Sequence, residues 1–317
     1  MILELLMMVA GLILLVFSSE KTVEHSVKLA KFFKVSPLII GIVLISIGTD
    51  LPEITNSIIS SYLGHGDINV GDSFGSPLSQ ITLVLGITAL ASKRLIRVRE
   101  SVVTKLGIST LGATVLALLL VSDGDLTRVD AVVLIVSYIA FLVYLQRTRP
   151  KEIGITKVGE ETTTKKQLIN CSLIVGLSIL GVVIGSMLVV NSVIEISKGI
   201  GIPEFIISFF LIGLGTSLPE LAVTLSAVRR GEFGLAIGNA FGSNITDLTL
   251  ALASGPLLFP TMLTKGLVNT GGLYLIGATA VVVALLGWRK RIGKIEGIVL
   301  VLLYLASLIV IPMFQSL

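Results

Sequence analysis

Ten stretches of about 20 apolar residues each constrain this chain more than any other feature, because that length of helix crosses the hydrocarbon core of a bilayer. They lie at roughly 2–18, 37–61, 69–91, 101–121, 128–146, 168–190, 203–227, 234–258, 267–287 and 295–314. Lipid offers no hydrogen bonds to a backbone, so stretches like these enter a membrane as helices. Charged residues are 14% of the chain, against about a quarter in a soluble domain. The mean hydropathy is +0.98. A soluble enzyme, a disordered chain and a DNA-binding domain are thereby excluded. The expected fold class is an all-α polytopic membrane protein of the cell membrane, with ten transmembrane helices.

The few charges fix the orientation. Lys and Arg concentrate in cytoplasmic loops. With the loops taken alternately, all but three of the 24 basic residues fall on one side. The exceptions are Arg128, Lys198 and Lys265. One missed helix would scramble that split, so both termini are expected on the extracytoplasmic face. The first stretch carries Glu4 and lacks a basic leader or a clear cleavage site, so it reads as a retained helix and not a secretory signal. Between Lys21 and Lys34, Val23, Val27, Ala30 and Phe33 recur at helical spacing. That suits an amphipathic continuation of the first helix along the inner membrane surface, or a solvated helix end. Cys171 is the single cysteine, which excludes an internal disulfide, and with two histidines a structural zinc site is not expected.

Two segments occur twice. Gly48-Thr49-Asp50-Leu51-Pro52-Glu53 matches Gly215-Thr216-Ser217-Leu218-Pro219-Glu220, and Gly71-Asp72-Ser73-Phe74-Gly75-Ser76 matches Gly238-Asn239-Ala240-Phe241-Gly242-Ser243. Both matches share an offset of 167 residues, which argues for duplication. The expected organisation is a first five-helix repeat at 1–146, a cytoplasmic linker at 147–167 and a second repeat at 168–317. Five helices is an odd number, so the second copy enters the membrane inverted. Inverted repeats typify secondary transporters, with the substrate near the midplane where the repeats meet.

The repeated segments carry the chemistry. Asp50, Glu53, Glu220 and Asp247 fall inside apolar spans, with no Lys or Arg at comparable depth. Four carboxylates there cost on the order of 10–14 kcal/mol before pairing or protonation reduces the figure. A lone acid of this kind is usually protonated and packed; four in repeated motifs point to a bound cation. Residues three or four apart share a helix face. That spacing relates Thr49 and Asp50 to Glu53, Thr216 to Glu220, Ser76 to Gln80 and Ser243 to Asp247. Hydroxyls, carboxylates and one amide are hard oxygens, suited to Ca²⁺, Mg²⁺ or Na⁺. Pro52 and Pro219 each remove a backbone donor and should loosen the helix around Gly48 and Gly215. Gly71 with Gly75 and Gly238 with Gly242 read as close-packing positions. Asn239 and Asn244 read as neighbours of the ligands, Asp72 as a surface or ion-access residue, and His65 and Asp67 as solvated.

At these motifs the chain resembles the Ca²⁺/cation antiporter superfamily, in its prokaryotic sodium/calcium exchanger branch. The carrying residues are GTDLPE at 48–53 with GDSFGSPLSQ at 71–80, and GTSLPE at 215–220 with GNAFGSNITD at 238–247. The resemblance implies ten helices, four ion sites between the second, third, seventh and eighth, and exchange of three Na⁺ for one Ca²⁺ by alternating access. It implies Thr49, Glu53, Ser76, Thr216, Ser217, Glu220, Ser243 and Asp247 as ligands, together with backbone carbonyls near Ser46 and Gly213. Asp50 stands where the second copy has Ser217, Gln80 where Asn is usual, and Pro77 is also unusual. The fourth carboxylate makes the empty site as negative as −4, and like charges this close are not all borne at once. A changed ion stoichiometry, or the use of H⁺ or K⁺, is therefore expected. No cofactor is implied beyond the transported ions. The partners are the lipid bilayer and those ions, not nucleic acid, and a monomer is expected. A H⁺- or K⁺-coupled Ca²⁺ exchanger, a cation channel and an intramembrane hydrolase remain alternatives.

Overall fold

The computed structural model describes residues 2–32, 50–92, 95–97, 100–148, 165–230 and 233–313. Its helices follow the apolar stretches, with two of them longer than expected. Helix α1 (Ile2–Phe32) runs through the charged stretch without a break, and α7 (Lys165–Ile200) lies along it. Between them come α2 (Leu51–Tyr62), α3 (Gly66–Ser79), α4 (Leu85–Ala91), α5 (Glu100–Val121) and α6 (Arg128–Thr148). After α7 come α8 (Glu204–Ile207), α9 (Gly213–Thr216), α10 (Leu218–Arg230), α11 (Phe233–Thr246), α12 (Leu252–Leu258), α13 (Lys265–Arg289) and α14 (Lys294–Met313).

Three wider, π-helical turns join some of these: Gln80–Val84 between α3 and α4, Ser208–Ile212 between α8 and α9, and Asp247–Ala251 between α11 and α12. Such turns are rare and cluster at functional sites. The threonines inside two of them, Thr82 and Thr249, donate hydroxyl protons to the carbonyls of Leu78 and Ile245, four residues back.

Among the described residues, seven helices are long and apolar enough to cross a membrane. They cover the first, third, fourth, sixth, seventh, ninth and tenth expected spans. The fifth coincides with the 21-residue α6, the eighth with α11 to α12, and the second half of the second with α2. The start of that second span lies outside the described residues.

The element bounds repeat at the sequence offset. Shifting α3, its π-helical turn and α4 by 167 residues gives the bounds of α11, its π-helical turn and α12. Two short ladders do the same. Strand β1 (Ile96–Arg97) pairs antiparallel with β4 (Arg291–Ile292), in register Ile96 to Ile292. Strand β2 (Asp125–Leu126) pairs with β3 (Thr261–Met262), in register Asp125 to Met262. The offset carries one ladder onto the other to within two residues. Each ladder ties a loop of one half to a loop of the other.

The apolar core lies where α3, α8 and α11 meet α5 and α13, around Phe74, Phe205, Phe209 and Phe241. Many large apolar residues point outward, among them Leu119, Val136, Leu177, Leu273, Ile309 and Trp288. In water an exposed apolar surface this extensive is costly, whereas lipid covers it. The centre holds an unusual share of polar side chains, and these form the candidate site.

Candidate cation site

One residue of each proline motif departs from helical geometry. Asp50 (φ −89°, ψ 11°) caps α2, and Ser217 (φ −79°, ψ 2°) separates α9 from α10. They are equivalent positions, each two residues before a proline. In the second half the helix is interrupted at Ser217, two residues after Gly215, which leaves Ser217 and Glu220 beside the break; in the first half Gly48 lies outside the described residues, and Asp50 and Glu53 sit at the start of α2.

Four elements converge there. Glu53 projects from α2, Glu220 from α10, Ser76 from α3, and Ser243 from α11. Gln80 and Asp247 each open a π-helical turn. Asp50, Glu53, Ser76, Gln80, Thr216, Ser217, Glu220, Ser243 and Asp247 are all buried, none more than 5% exposed. One carboxylate oxygen from each of Asp50, Glu53 and Asp247 lies within 4.8 Å of the other two. Ser243, Thr246 and Glu220 adjoin Asp50, and Glu220 and Asp72 lie within electrostatic reach of Glu53.

Hydrogen bonds divide these groups in two. Neither oxygen of Asp50 or of Glu53 has a hydrogen-bond partner among the described residues, and Asp247 Oδ1 and Gln80 Oε1 have none either. Unsatisfied buried carboxylates are expensive unless a cation sits among them. No Lys or Arg is buried among the described residues. The hydroxyl groups are linked instead. Ser217 donates to the Gly213 carbonyl at 2.7 Å, and Ser79 donates to the same carbonyl at 3.2 Å. Gln80 Nε2–H donates to Asp247 Oδ2 at 3.1 Å, and Asn244 Nδ2–H to the Pro77 carbonyl at 3.2 Å.

Of the expected ligands, Ser46 and Thr49 lie outside the described residues. Two expectations are corrected. Asp72 is not a surface residue: it is 1% exposed and accepts from Ser76 and Thr216. Helix α3 begins at Gly66, so Asp72 lies more than a turn inside it. His65 is half-buried and bonded through Nδ1 to Glu204 Oε2 at 2.8 Å, not solvated. Sequence reasoning also missed Asn56 and Ser79. The Asp72 to Ser76 spacing of four, the same spacing used for the ligands, was the available signal.

The close packing expected of the glycine pattern is visible at Gly75, whereas no described atom of a neighbouring element lies within 4 Å of a Cβ added at Gly238 or Gly242. A Cβ at Gly75 would lie 2.0 Å from the Phe209 carbonyl oxygen, so only glycine lets α3 cross the π-helical turn before α9. That crossing brings Ser76 and Ser79 onto Gly213 and Ser217.

The family model for "sodium/calcium exchanger protein" matches residues 3–146 and 172–312. The chain is 32% identical to the "uncharacterized membrane protein MJ0091" of Methanocaldococcus jannaschii over 300 residues, 94% of each chain. It is 28% identical to "sodium/calcium exchanger MaX1" of Methanosarcina acetivorans over 343 residues, covering 96% of this chain and 97% of that one. Its fold is similar to the solved structure of the sodium-calcium exchanger NCX_Mj soaked with 2.5 mM Na⁺ and 10 mM Sr²⁺. There the TM-score is 0.62 at 31% identity, over 96% of this chain and 98% of that one. Such relatives, with the apolar helices, make this a multi-pass integral membrane protein and a transporter of the cation/Ca²⁺ antiporter kind. The chain belongs to the sodium/calcium exchanger protein family.

Proposed function

We propose that this protein exchanges Na⁺ for Ca²⁺ across the cell membrane by alternating access. The supporting observation is the set of three buried carboxylates, Asp50, Glu53 and Asp247, mutually within 4.8 Å, with Asp50 and Glu53 lacking any hydrogen-bond partner among the described residues. Glu53 and Glu220 act as the central Ca²⁺ ligands. Thr49, Asp50, Ser76, Gln80, Thr216, Ser217, Ser243 and Asp247 complete the set with the carbonyls of Ser46 and Gly213. Their oxygens are hard, and Ca²⁺ takes six to eight of them. Na⁺ and Ca²⁺ draw on overlapping oxygens, so one leaves before the other loads. Only a filled site offsets the burial of the carboxylates, which makes crossing with an empty site slow and couples the two fluxes.

The architecture that goes with this reading is ten helices in two inverted five-helix repeats, 1–146 and 168–317, joined by a cytoplasmic linker at 147–167. Both termini face away from the cytoplasm, and the protein works as a monomer. The two ladders support the inversion: β1–β4 joins two loops on the basic side, and β2–β3 joins two on the other.

Asp50 favours a second reading, in which H⁺ or K⁺ joins the exchange, because it adds a fourth carboxylate where the second half has Ser217. One experiment separates the readings. Uptake of ⁴⁵Ca²⁺ into proteoliposomes is measured with Na⁺, K⁺ and H⁺ gradients imposed one at a time. Flux that requires the Na⁺ gradient supports Na⁺/Ca²⁺ exchange. Flux that follows only H⁺ or K⁺ supports the second reading. Flux that needs no counter-ion refutes exchange in favour of a channel.

A further inference from the structure

Asp72 stands outside the ligand set, yet its buried carboxylate accepts three side-chain hydrogen bonds. Its Oδ1 takes the hydroxyl protons of Ser76 and Thr216, each at 3.1 Å, and its Oδ2 accepts from Asn56 Nδ2–H at 3.0 Å. Asn56 Oδ1 accepts in turn from the Ser186 hydroxyl at 2.6 Å. Asn56 and Ser186 are fully buried. A continuous line therefore runs from α7 through α2 and α3 to the end of α9.

A hydroxyl has one proton and two lone pairs. Ser76 has other acceptors in reach, the Gly213 carbonyl at 3.3 Å and Thr216 at 3.1 Å; Thr216 also has the Ile212 carbonyl at 3.1 Å. A bond to a carboxylate is roughly twice as strong as a neutral one, so Asp72 takes both protons. Lone pairs are then left for a cation. Ser76 belongs to one half of the chain and Thr216 to the other, so a single carboxylate sets a ligand from each.

The second half lacks this carboxylate. At the position equivalent to Asp72, Asn239 donates from Nδ2–H to the Thr224 hydroxyl at 3.2 Å and the Glu220 carbonyl at 3.4 Å. Val223 stands where Asn56 stands.

We propose that Asp72, held in place by Asn56 and Ser186, is the positioning residue that turns the Ser76 and Thr216 hydroxyls into cation ligands. This rests on cation exchange at the site described above. The test uses the full chain in proteoliposomes and Na⁺-driven ⁴⁵Ca²⁺ uptake, with half-saturation and maximal rate measured separately. Asp72→Asn keeps the size, loses the charge and presents an N–H. Its half-saturating Ca²⁺ concentration should rise about tenfold or more, the loss of one charge-assisted hydrogen bond, with the maximal rate per folded transporter near wild type. Asn56→Val, which copies the second half, should shift half-saturation in the same direction by less. A fall in maximal rate with wild-type half-saturation in both variants marks a purely structural role and overturns the proposal. Wild-type behaviour of both variants also overturns it. Should Asp72→Asn not fold, Asn56→Val alone decides. Wild-type protein that does not exchange Ca²⁺ sinks the exchanger reading and this proposal together; exchange by wild type with unshifted variants sinks this proposal alone.

Discussion

Replacing Glu53 by Gln tests the cation site most directly, because shape is kept and one charge is lost. Glu53 is 1% exposed and both its carboxylate oxygens lack a hydrogen-bond partner among the described residues. Its carboxylate lies within 4.8 Å of those of Asp50 and Asp247. Two unit charges at about 4 Å and an effective dielectric constant near 20 attract by about 4 kcal/mol, so a divalent ion loses about 8 kcal/mol when Glu53 is neutralised. Removing the charge also relieves about 3 kcal/mol of burial cost. The net loss is about 5 kcal/mol for Ca²⁺ and about 1 kcal/mol for Na⁺. At 1.4 kcal/mol per decade, Ca²⁺ binding weakens by roughly three to four decades and Na⁺ binding by less than one. The new amide N–H can also donate to Asp50 or Asp247 and so satisfy the centre without an ion. Equilibrium ⁴⁵Ca²⁺ binding to detergent-purified protein and exchange in proteoliposomes measure the effect. Ca²⁺ binding or flux within about tenfold of wild type would refute the role given to Glu53.

The same reasoning applies to Glu220→Gln in the second half, which should abolish exchange measured as Na⁺-driven ⁴⁵Ca²⁺ uptake. Asp50→Ser gives the first half the residue found at Ser217, and should change the Hill coefficient for Na⁺ and the pH profile of exchange; no change in either removes Asp50 from the ion chemistry. Gly255→Ala places a Cβ 2.0 Å from the Ser57 carbonyl oxygen and pushes α2 from α12, which should cost about 1–3 kcal/mol, seen as a lower Tm in detergent. At the charged end of α1, Lys21 and Lys28, bonded at 2.8 and 2.7 Å, hold Glu24 down to about 2 from an ordinary 4.5. That contribution is complete above pH 4.5 and is lost as pH falls toward 2. All three side chains are exposed, so Glu24→Ala should move the Tm at pH 7 by under about 2 °C.

Much of the fold is legible because its causes are local. Apolar length marks the helices, and Pro219 marks the break that falls at Ser217. The repeat at 167 residues shows in the motifs and returns in the bounds of α3, α4, α11 and α12. What the sequence hides depends on contacts between distant residues. No residue pattern announces the π-helical turns that open at Gln80 and Asp247. The burial of Asp72 follows from α3 beginning at Gly66, ahead of the apolar stretch, so a position that reads as a helix end is well inside one. The bond from Asn56 to Asp72 joins two helices whose approach the chain does not advertise.

The repeats agree in backbone and differ in side chains, and at one place the difference is forced. Some residues separated by the repeat offset of 167 also touch each other. Gln80 with Asp247, and Pro77 with Asn244, are such pairs. A faithful copy would set two carboxylates, or two amides, against each other at the centre. An amide facing a carboxylate supplies the donor that the acid needs and places one charge there in place of two. A second asymmetry bears on motion. Gly255 lets α2 close on α12, with no room for a Cβ against Ser57. Its equivalent in α4 is Thr88, which carries one, so α10 cannot close on α4 by the same contact. Packed interfaces of this kind hold discrete arrangements and do not deform continuously. Under the alternating access proposed above, two states related by these contacts are therefore packed unequally.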